Sequence, residues 1–437
     1  MHFFNHFFGS VFCSAVCFCS LGPVSGQEEK ARTLQATEAV DSVQGGSESE
    51  KQLRWWKGNL HTHSLWSDGD DFPEMIGDWY QRNGYNFLAL SDHNIVSAGQ
   101  RWMKFDAILK RAEPDVLEKY TKRFGREWVE TRGNPGEPEF EVRLKPLDEF
   151  GPLLNRSGEF LMIPGEEISD RSEGKPVHMN ATNVQELIRP VGGETVREAM
   201  QNNLRAVLEQ EEKLGREILP HLNHPNFGYA VTAEDLAVVV QEQFFEVYNG
   251  HPGVNQLGDD EHQSIESMWD LANAIRVCQL DAEPLLGLAT DDSHEYHNST
   301  GATTGRGWVM VQARYLTPEH LITAMKAGDF YASSGVELES VNWNAESREY
   351  SLTIVGEPGV SYTSELIGIA KSEDDGQLPD AEQIGFVVET QAGLTPSFQL
   401  PAEIIVGRIR VSSTKKHANP SIRDQFCQAW AQPVVAK

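Results

Sequence analysis

The stretch GNLHTHSLWSDG, residues 58–69, decides the fold, because it places chemically active side chains directly after a short apolar run. His61 and His63 stand two residues apart, and Asp68 follows five residues after the second histidine. Imidazole and carboxylate groups are ligands that transition metals prefer in proteins. Taken alone, the pattern fits a metal-binding segment at a strand end and a polar surface loop equally well, so the rest of the chain has to separate the two.

Short apolar runs and amphipathic helical stretches alternate from residue 54 to residue 335. The runs are WWKGNLH, YNFLALS, EFLMIP, PVHMNAT, EILPHLN, QFFEVYN, PLLGLAT and RGWVMVQA, and the helical stretches include ETVREAMQNNLRAVLEQEEKL and SIESMWDLANAIRV. This alternation predicts an α/β fold with a parallel sheet. Seven or eight such units favour a TIM-like barrel over an open sheet.

Capping residues mark the ends of two predicted helices. Thr317 is a predicted N-cap, Pro318 occupies the first helical position, and Gly328 is placed to end the helix. Thr232, before AEDLAVVVQ, predicts a similar start.

Two segments depart from the alternation. Residues 100–155 are charged and aromatic, and their composition predicts a helical insertion between two barrel units. Residues 336–437 contain the short strand-like runs SLTIVG, SELIGIA, IGFVVET and IIVGRIRVSS, which predict a small β-sandwich-like domain. The last run predicts a half-buried antiparallel strand, with Ile405, Gly407, Ile409 and Val411 on one face and Arg408 and Arg410 on the other.

The amino terminus predicts export. Residues 1–26 lack Asp, Glu, Lys and Arg and end in small residues, which is typical of a signal peptide cleaved near Gly26. The mature protein is then periplasmic or secreted, and a membrane anchor is the alternative. Residues 27–53 are polar and acidic, which predicts a disordered leader. No later stretch has the apolar length of a membrane span, so none is expected in the mature chain.

The net charge of −28 disfavours a nucleic-acid polymer as partner, because an acidic surface repels phosphate backbones. A small-molecule substrate remains compatible with this charge, and the oligomeric state is not predicted. Cys278 and Cys427 are the cysteines that follow the signal segment, and one disulfide or two buried thiols are both open. Metal ligands would therefore have to be histidines and carboxylates.

Histidines and carboxylates follow the apolar runs along the chain. In a parallel α/β barrel the carboxyl ends of the strands converge on one face, so these side chains are expected in one small volume. Such a cluster is costly unless bound cations compensate its carboxylates and desolvated imidazoles. Nine candidates suit two or three divalent ions, with zinc, manganese or iron as the expected metals. They are His61, His63, Asp68, His93, Glu167, His178, His224, Asp292 and His294.

The motifs HTHSLWSDG, LSDHN, PGEE, HPN and TDDSH resemble, in this order, those of the PHP family, named for polymerase and histidinol phosphatase domains. The resemblance covers about residues 55–335. It implies a distorted (β/α)7 barrel with a bi- or trinuclear metal site, and many members are phosphoesterases. It also implies that Glu167, rather than Glu166, is the metal-bridging glutamate, because the family spacing is G-x-E. The C-terminal β domain resembles the subgroup that includes carbaryl and carbamate-ester hydrolases.

Other polar residues near these motifs have predicted supporting roles. Asp92, Glu166, Glu246 and Asp291 are expected to orient ligands, although Glu246 is equally compatible with a surface acid. Lys175 and Arg306 are candidates for contact with a substrate anion, although a structural role is favoured for both. Four further histidines without a family match are predicted at the surface or behind the ligands, namely His221, His251, His262 and His297.

These observations predict an exported metal-dependent hydrolase that uses a metal-activated water, with small phosphate esters as the favoured substrates. Three divalent ions would give the cluster a clear positive charge and favour phosphate, whereas two would leave a carboxyl or carbamate ester equally suitable. A non-catalytic metal-binding module is the remaining alternative. No nucleophile-elbow or phosphate-loop motif occurs in the chain.

Overall fold

The computed structural model describes residues 53–298, 300–374 and 376–436. Its helices are α1 (Pro73–Arg82), α2 (Phe105–Ile108), α3 (Val116–Phe124), α4 (Leu147–Leu154), α5 (Val196–Leu214), α6 (Ala233–Val238), α7 (Ile265–Gln279) and α8 (Pro318–Lys326), with a short 3-10 turn at Ala381–Gln383. The strands before α8 are β1 (Arg54–Asn59), β2 (Phe87–Leu90), β3 (Arg101–Lys104), β4 (Thr131–Arg132), β5 (Glu141–Leu144), β6 (Leu161–Ser172), β7 (Lys175–Thr182), β8 (Leu219–Leu222), β9 (Phe244–Asn249), β10 (Leu286–Thr290) and β11 (Trp308–Ala313). The strands after α8 are β12 (Phe330–Ser333), β13 (Leu338–Asn344), β14 (Glu349–Ile354), β15 (Tyr362–Ala370), β16 (Ile384–Ala392), β17 (Ser397–Gln399), β18 (Ile404–Lys416), β19 (Phe426–Ala431) and β20 (Val434–Val435).

The main sheet has 14 strands in the order β10-β9-β8-β7-β6-β2-β1-β11-β12-β19-β18-β15-β16, and β20 pairs with β18. All eight apolar runs of the sequence between residues 54 and 335 form strands, as predicted. Six of them, β1, β2, β6, β8, β9 and β10, run in one direction. The other two are reversed, because β6 and β7 form a tight hairpin and β11 pairs antiparallel with β1.

The ends of the seven-strand path from β10 to β1 meet without forming a ladder. One edge of β1 pairs with β2 and the other pairs with β11, so neither edge is free for β10. Contact occurs just beyond the strands, where Thr62 and Ser293 form a single parallel bridge. The structure thus shows a mixed α/β fold with a parallel-rich sheet, and a closed barrel stays a prediction.

One hydrophobic cluster lies inside this curved path. It takes a buried side chain from each of the six co-directional strands, namely Trp56, Phe87, Ile163, Leu219, Phe244 and Leu288. The same cluster includes Leu321 and Met325 of α8. Burial of these side chains holds the strands at fixed relative positions, because area removed from water stabilises the packed state.

The predicted helix signals are confirmed. Thr317 accepts a hydrogen bond from the His320 N–H at the start of α8, and Pro318 is its first residue. Thr232 and Asp235 form a complete capping box at α6.

The insertion at residues 100–155 is less helical than predicted. It contains α2, α3 and α4, but β3, β5 and β4 form a separate antiparallel sheet. The reason is visible in β5, where Val142 and Leu144 are buried and alternate with the more exposed Glu141 and Arg143. Alternation of period two favours a strand over a helix.

The residues after 336 form two sheets around one core, as in a sandwich. β13, β14 and β17 make one sheet, and a shared hydrophobic cluster joins them to β15, β18 and β19. The second sheet continues the main sheet through β12, so strand pairing runs across the predicted domain boundary, which itself stays a prediction.

The prediction of a half-buried β18 is wrong. Arg408 is only 3% exposed, because α7 covers the face on which it lies and supplies Asp270 and Glu266 as partners.

The predicted signal peptide and acidic leader lie outside the described residues. Within the described ranges, no helix is both long and apolar enough to cross a membrane. Cys278 and Cys427 are both free thiols, which decides the open question about a disulfide.

Candidate metal centre

The carboxyl ends of the co-directional strands carry the cluster. His61 and His63 follow β1, His93 follows β2, and His224 follows β8. Asp292 and His294 follow β10. Glu167 lies within the long strand β6, and His178 lies beside it on the reversed strand β7. The structure therefore brings all nine predicted ligands together from four strand ends and one hairpin.

Glu167 lies at the middle of the cluster. Its Oε1 atom is 3.0 Å from His178 Nδ1 and 3.5 Å from His224 Nε2, while its Oε2 atom is 2.5 Å from His93 Nδ1. The same carboxylate is 3.6 Å from the Nε2 atom of His61 and of His63. A single carboxylate with histidines around both oxygens has the environment expected of a bridging ligand.

Glu166 is oriented differently, since neighbouring side chains of a strand point to opposite faces. Its Oε1 atom accepts the Ile188 N–H at 2.7 Å, and burial raises the pKa of its carboxyl to about 8. The placement of the two glutamates agrees with the predicted register.

Glu246 orients His61, as one of the two predictions for this residue states. Its Oε1 atom is 2.7 Å from His61 Nδ1 and also accepts the Thr290 hydroxyl. Its Oε2 atom accepts the His224 N–H and the Asn249 side-chain amide. Burial acts to raise the pKa of Glu246, but His61 and His221 hold it well below its ordinary range. An ionised Glu246 accepts a hydrogen bond from Nδ1–H of His61, which leaves Nε2 facing the cluster as the nitrogen that can bind a metal.

A second group lies nearer the solvent. His63, His93 and His294 surround Asp68, whose side chain is 49% exposed, at nitrogen–oxygen distances of 3.5–3.6 Å. His294 Nδ1 donates to the carbonyl of Asp292 at 2.9 Å, which leaves its Nε2 atom free to face Asp68. On both sides of the cluster, the hydrogen bond made by Nδ1 thus determines that Nε2 faces the other ligands.

The fit to metal ions follows from atoms without hydrogen-bond partners. The Nε2 atoms of His61 and His63 each lie 3.2 Å from Asp292 Oδ1, yet neither makes a hydrogen bond within the described part of the chain. Buried polar atoms without partners are costly, and so is a carboxylate held beside buried nitrogen atoms that do not donate to it. Ligand atoms about 2.1 Å from one tetrahedral zinc ion are about 3.4 Å apart. The observed separations match this value, so the residues fit a metal.

Several such groups overlap. His63, Asp68, His93 and His294 form one candidate set, His61, His63 and Glu167 a second, and His93, Glu167 and His178 a third. His61 with His221 and Glu246 forms a further set. We interpret this last set as residues that orient His61, because Glu246 already accepts a hydrogen bond from its Nδ1 atom. Glu167, His63 and His93 each belong to two of the three remaining sets. The three sets are compatible with two or three ions.

The backbone is strained at two of these residues. His224 has a φ of 24° and Asp292 a φ of 48°, a left-handed conformation that non-glycine residues seldom adopt. Backbone hydrogen bonds hold both, from the His224 N–H to Glu246 and from the Asp292 N–H to the carbonyl of His61. Strain of this kind persists where surrounding contacts enforce it, often at functional sites.

Asp92 and Asp291 form hydrogen bonds with loop residues near the cluster. Asp92 accepts hydrogen bonds from the backbone and hydroxyl groups of Ser64 and Ser67, which fixes the segment that carries His63. Asp291 accepts the Tyr80 hydroxyl and three backbone N–H groups of residues 305–307. These contacts hold the loops beside the cluster in position, and a role of Asp92 and Asp291 in orienting ligands stays a prediction.

The two predicted anion contacts do not line the cavity. Lys175 is exposed at the turn of the β6–β7 hairpin. Arg306 is only 3% exposed and donates to the carbonyls of Gly250, Gly301 and Asn419. Its guanidinium is occupied with backbone acceptors, so the structural alternative describes it better.

The cluster forms the floor of an open cavity of about 710 Å³. Its wall includes residues that the sequence analysis did not single out, among them Lys110, Arg111 and Phe227. His251 also lines it, although the sequence predicted a surface or supporting position. Lys110 and Arg111 belong to the insertion, and no motif marks them, because only folding brings that segment over the strand ends.

Comparison with known proteins gives weak likenesses. No family model matches the chain, and no curated protein matches it. A two-domain protein from Bacteroides vulgatus ATCC 8482, described as containing a predicted PHP-like metal-dependent phosphoesterase, is 15% identical with a TM-score of 0.37, over 87% of this chain and 95% of that chain. A protein from Bifidobacterium adolescentis ATCC 15703, named as a candidate metal-dependent phosphoesterase, is 13% identical with a TM-score of 0.28, over 56% of this chain and 90% of that chain. Neither description mentions carbamate esters. Likenesses this low carry no conclusion about function.

Proposed function

We propose that this protein is an exported, metal-dependent hydrolase of small phosphate esters. The observation that carries the proposal is the pair of buried Nε2 atoms of His61 and His63, which face Asp292 Oδ1 at 3.2 Å without a hydrogen bond among the described residues. A divalent cation is the simplest group that would satisfy both nitrogen atoms and offset the negative charge of Asp292 and Glu167. Export is inferred from the amino-terminal sequence alone.

The chain's own residues would hold the metals and shape the pocket. His61, His63, Glu167 and Asp292 supply the inner ligands, and Asp68, His93, His178, His224 and His294 complete the set. Divalent metals in such sites supply Lewis acidity and activate water for attack on an ester. Glu246 fixes the ring of His61, so the ligand is positioned before substrate arrives.

His251 is placed to serve the substrate rather than the metal. It lines the cavity but belongs to none of the candidate metal sets. The Gly253 N–H donates to its Nδ1 atom at 3.0 Å, so a neutral ring carries its proton on Nε2. That proton can be donated to an oxygen of the substrate, for example the oxygen of the leaving group.

Phosphate esters are preferred over carboxyl or carbamate esters because cations line the cavity beside the metal cluster. Lys110 and Arg111 add positive charge to the pocket wall of a protein whose net charge is −28. A small phosphate would be attracted locally, whereas the acidic surface disfavours long polyanions.

The test is metal analysis of the purified protein together with hydrolysis of an aryl phosphate and the matching aryl ester. We expect bound transition metal, turnover of the phosphate, loss of turnover with a chelator, and recovery on adding a divalent ion. Turnover of the carboxyl ester alone would favour the other ester class. A protein that binds metal and hydrolyses neither would be the non-catalytic module.

A further inference from the structure

Two cations of the insertion face the cavity without a partner of opposite charge. Lys110 and Arg111 are exposed and line the cavity beside Asp68 and His93. Among the described residues, neither forms an ion pair, and Arg111 makes one side-chain hydrogen bond, to the carbonyl of Ser67. Their positive charge is therefore available to a ligand.

Two acidic residues of the same cavity, Asp68 and Asp70, have contacts with other residues. Asp68 is surrounded by His63, His93 and His294. Asp70 accepts the Tyr296 N–H at 2.9 Å. Lys110 and Arg111 form no ion pair with either of these carboxylates.

The segment that carries the two cations is held in place. Ile108 and Ala112 flank them and are 0% and 7% exposed, in a hydrophobic cluster that also contains Leu65 and Trp66 of the loop after β1. The N–H groups of Arg111 and Ala112 both donate to the carbonyl of Ile108. The backbone of Lys110 and Arg111 is thus fixed relative to the loop that presents His63 and Asp68, and pre-organised cations cost less entropy on binding.

We propose that Lys110 and Arg111 form an anion-binding wall, and that the substrate carries a negatively charged group, a carboxylate or a phosphate, in addition to the ester that is hydrolysed. This inference rests on the proposed function for the identity of the reacting group, but not for the binding itself. Because the insertion supplies both cations, it determines which small phosphate esters bind in a position suitable for hydrolysis.

The experiment measures binding of two non-hydrolysable probes to the metal-loaded full chain by calorimetry. Phenylphosphonate carries only the group expected at the metals, and 4-carboxyphenylphosphonate, with its meta isomer, adds a second anion. We expect at least one carboxylated probe to bind roughly ten-fold more tightly, since a hydrogen bond between charged groups contributes about 1.5–3 kcal/mol. Equal affinity of the wild-type protein for all probes would overturn the proposal.

The combined change Lys110→Ala and Arg111→Ala should remove this preference, so the affinity for the carboxylated probes should fall more than the affinity for phenylphosphonate. Lys110→Ala alone keeps the anchor of Arg111 on Ser67 and should lose part of the preference. The matched control is Lys122→Ala with Arg126→Ala, which removes the same charge from exposed residues of the insertion outside the cavity lining. A preference that survives the first pair, or that falls equally with the control pair, would show that these side chains do not bind the second anion.

Turnover of phenyl phosphate and 4-carboxyphenyl phosphate in the same samples separates the two proposals. Probe preference without turnover of either ester would reject the hydrolase and keep the anion-binding wall. Turnover without preference in binding or in kcat/KM would keep the hydrolase and reject the wall. If none of the probes binds and neither ester is hydrolysed, both proposals fail.

Discussion

Two of the places where the protein buries charge differ in how the charged atoms are satisfied. Where α7 packs on β18, Arg408 donates to Asp270 at 2.7 and 2.8 Å and to Glu266 at 3.0 Å. Arg410 pairs with Glu365 and with the other oxygen of Glu266. Each charge in this network has an opposite charge and a hydrogen bond from the protein itself.

The cluster at the strand ends is built differently. Burial alone would lower the pKa of His61, yet Asp292, Glu246 and Glu167 raise it well above its ordinary value. The Nε2 atoms of His61 and His63 have no hydrogen-bond partner among the described residues. Burial of charge therefore does not by itself identify a functional site. The informative feature is a set of converging ligand atoms that the protein leaves unsatisfied.

The largest effect is expected from Glu167→Gln. Gln keeps the size of the side chain but removes the charge that offsets repulsion between two cations, so bound metal and nearly all hydrolysis should be lost. Metal stoichiometry and turnover of an aryl phosphate measure this. Glu166→Gln is the matched control, and it should cost at most about 10–100-fold, the range typical of residues behind the ligands. If Glu166→Gln emptied the site instead, the register of this motif would be wrong by one residue.

The second effect concerns stability and tests the network around Arg408, in which every charge has a partner in the protein. Arg408→Ala leaves Asp270 buried without its partner, so the free energy of unfolding should fall by about 3–5 kcal/mol. Urea denaturation measures the loss, and turnover per folded molecule should not change. Combining Arg408→Met with Asp270→Asn should recover much of it, because no unpaired charge then remains at this position. A variant that lost metal without losing stability would contradict the distinction between the two clusters.

A third, smaller effect is expected for Glu246→Gln. Gln can accept from His61 Nδ1, but its amide nitrogen then faces the His224 N–H and the Asn249 amide, which both need an acceptor. Metal affinity should fall by about 10–100-fold. Titration with zinc against a competing chelator gives the affinity. Unchanged affinity would mean that the orientation of His61 does not depend on Glu246.

The smallest effect is expected from Arg410→Ala. Arg410 is 28% exposed, and its pairs with Glu365 and Glu266 are open to water and ions. Pairs of this kind contribute about 0.2–1 kcal/mol, so the free energy of unfolding should drop by no more than that and less still at high salt. A loss as large as that of Arg408→Ala would mean that the whole network, rather than its buried pair, stabilises the junction.

The sequence by itself determined the strands and the chemistry at their ends. Apolar runs of four to eight residues must leave water, and polar side chains that follow them are carried to the edge of the sheet. For this reason the positions of His61, His63, Asp92 and Asp292 directly after such runs are enough to assign them to the site. The alternation of Glu166 and Glu167 also follows from strand geometry alone.

Only the tertiary structure decided which distant groups meet. Lys110 and Arg111 face the cavity because buried neighbours pack against the loop after β1, and long-range packing leaves no local pattern. The burial of Arg408 and the backbone carbonyls around Arg306 were not visible in the sequence for the same reason, since the helix over the first and the Gly250 and Asn419 carbonyls around the second lie far away in sequence. Local periodicity reports which face of an element is apolar, whereas the partner that covers the other face is fixed only when the whole chain folds.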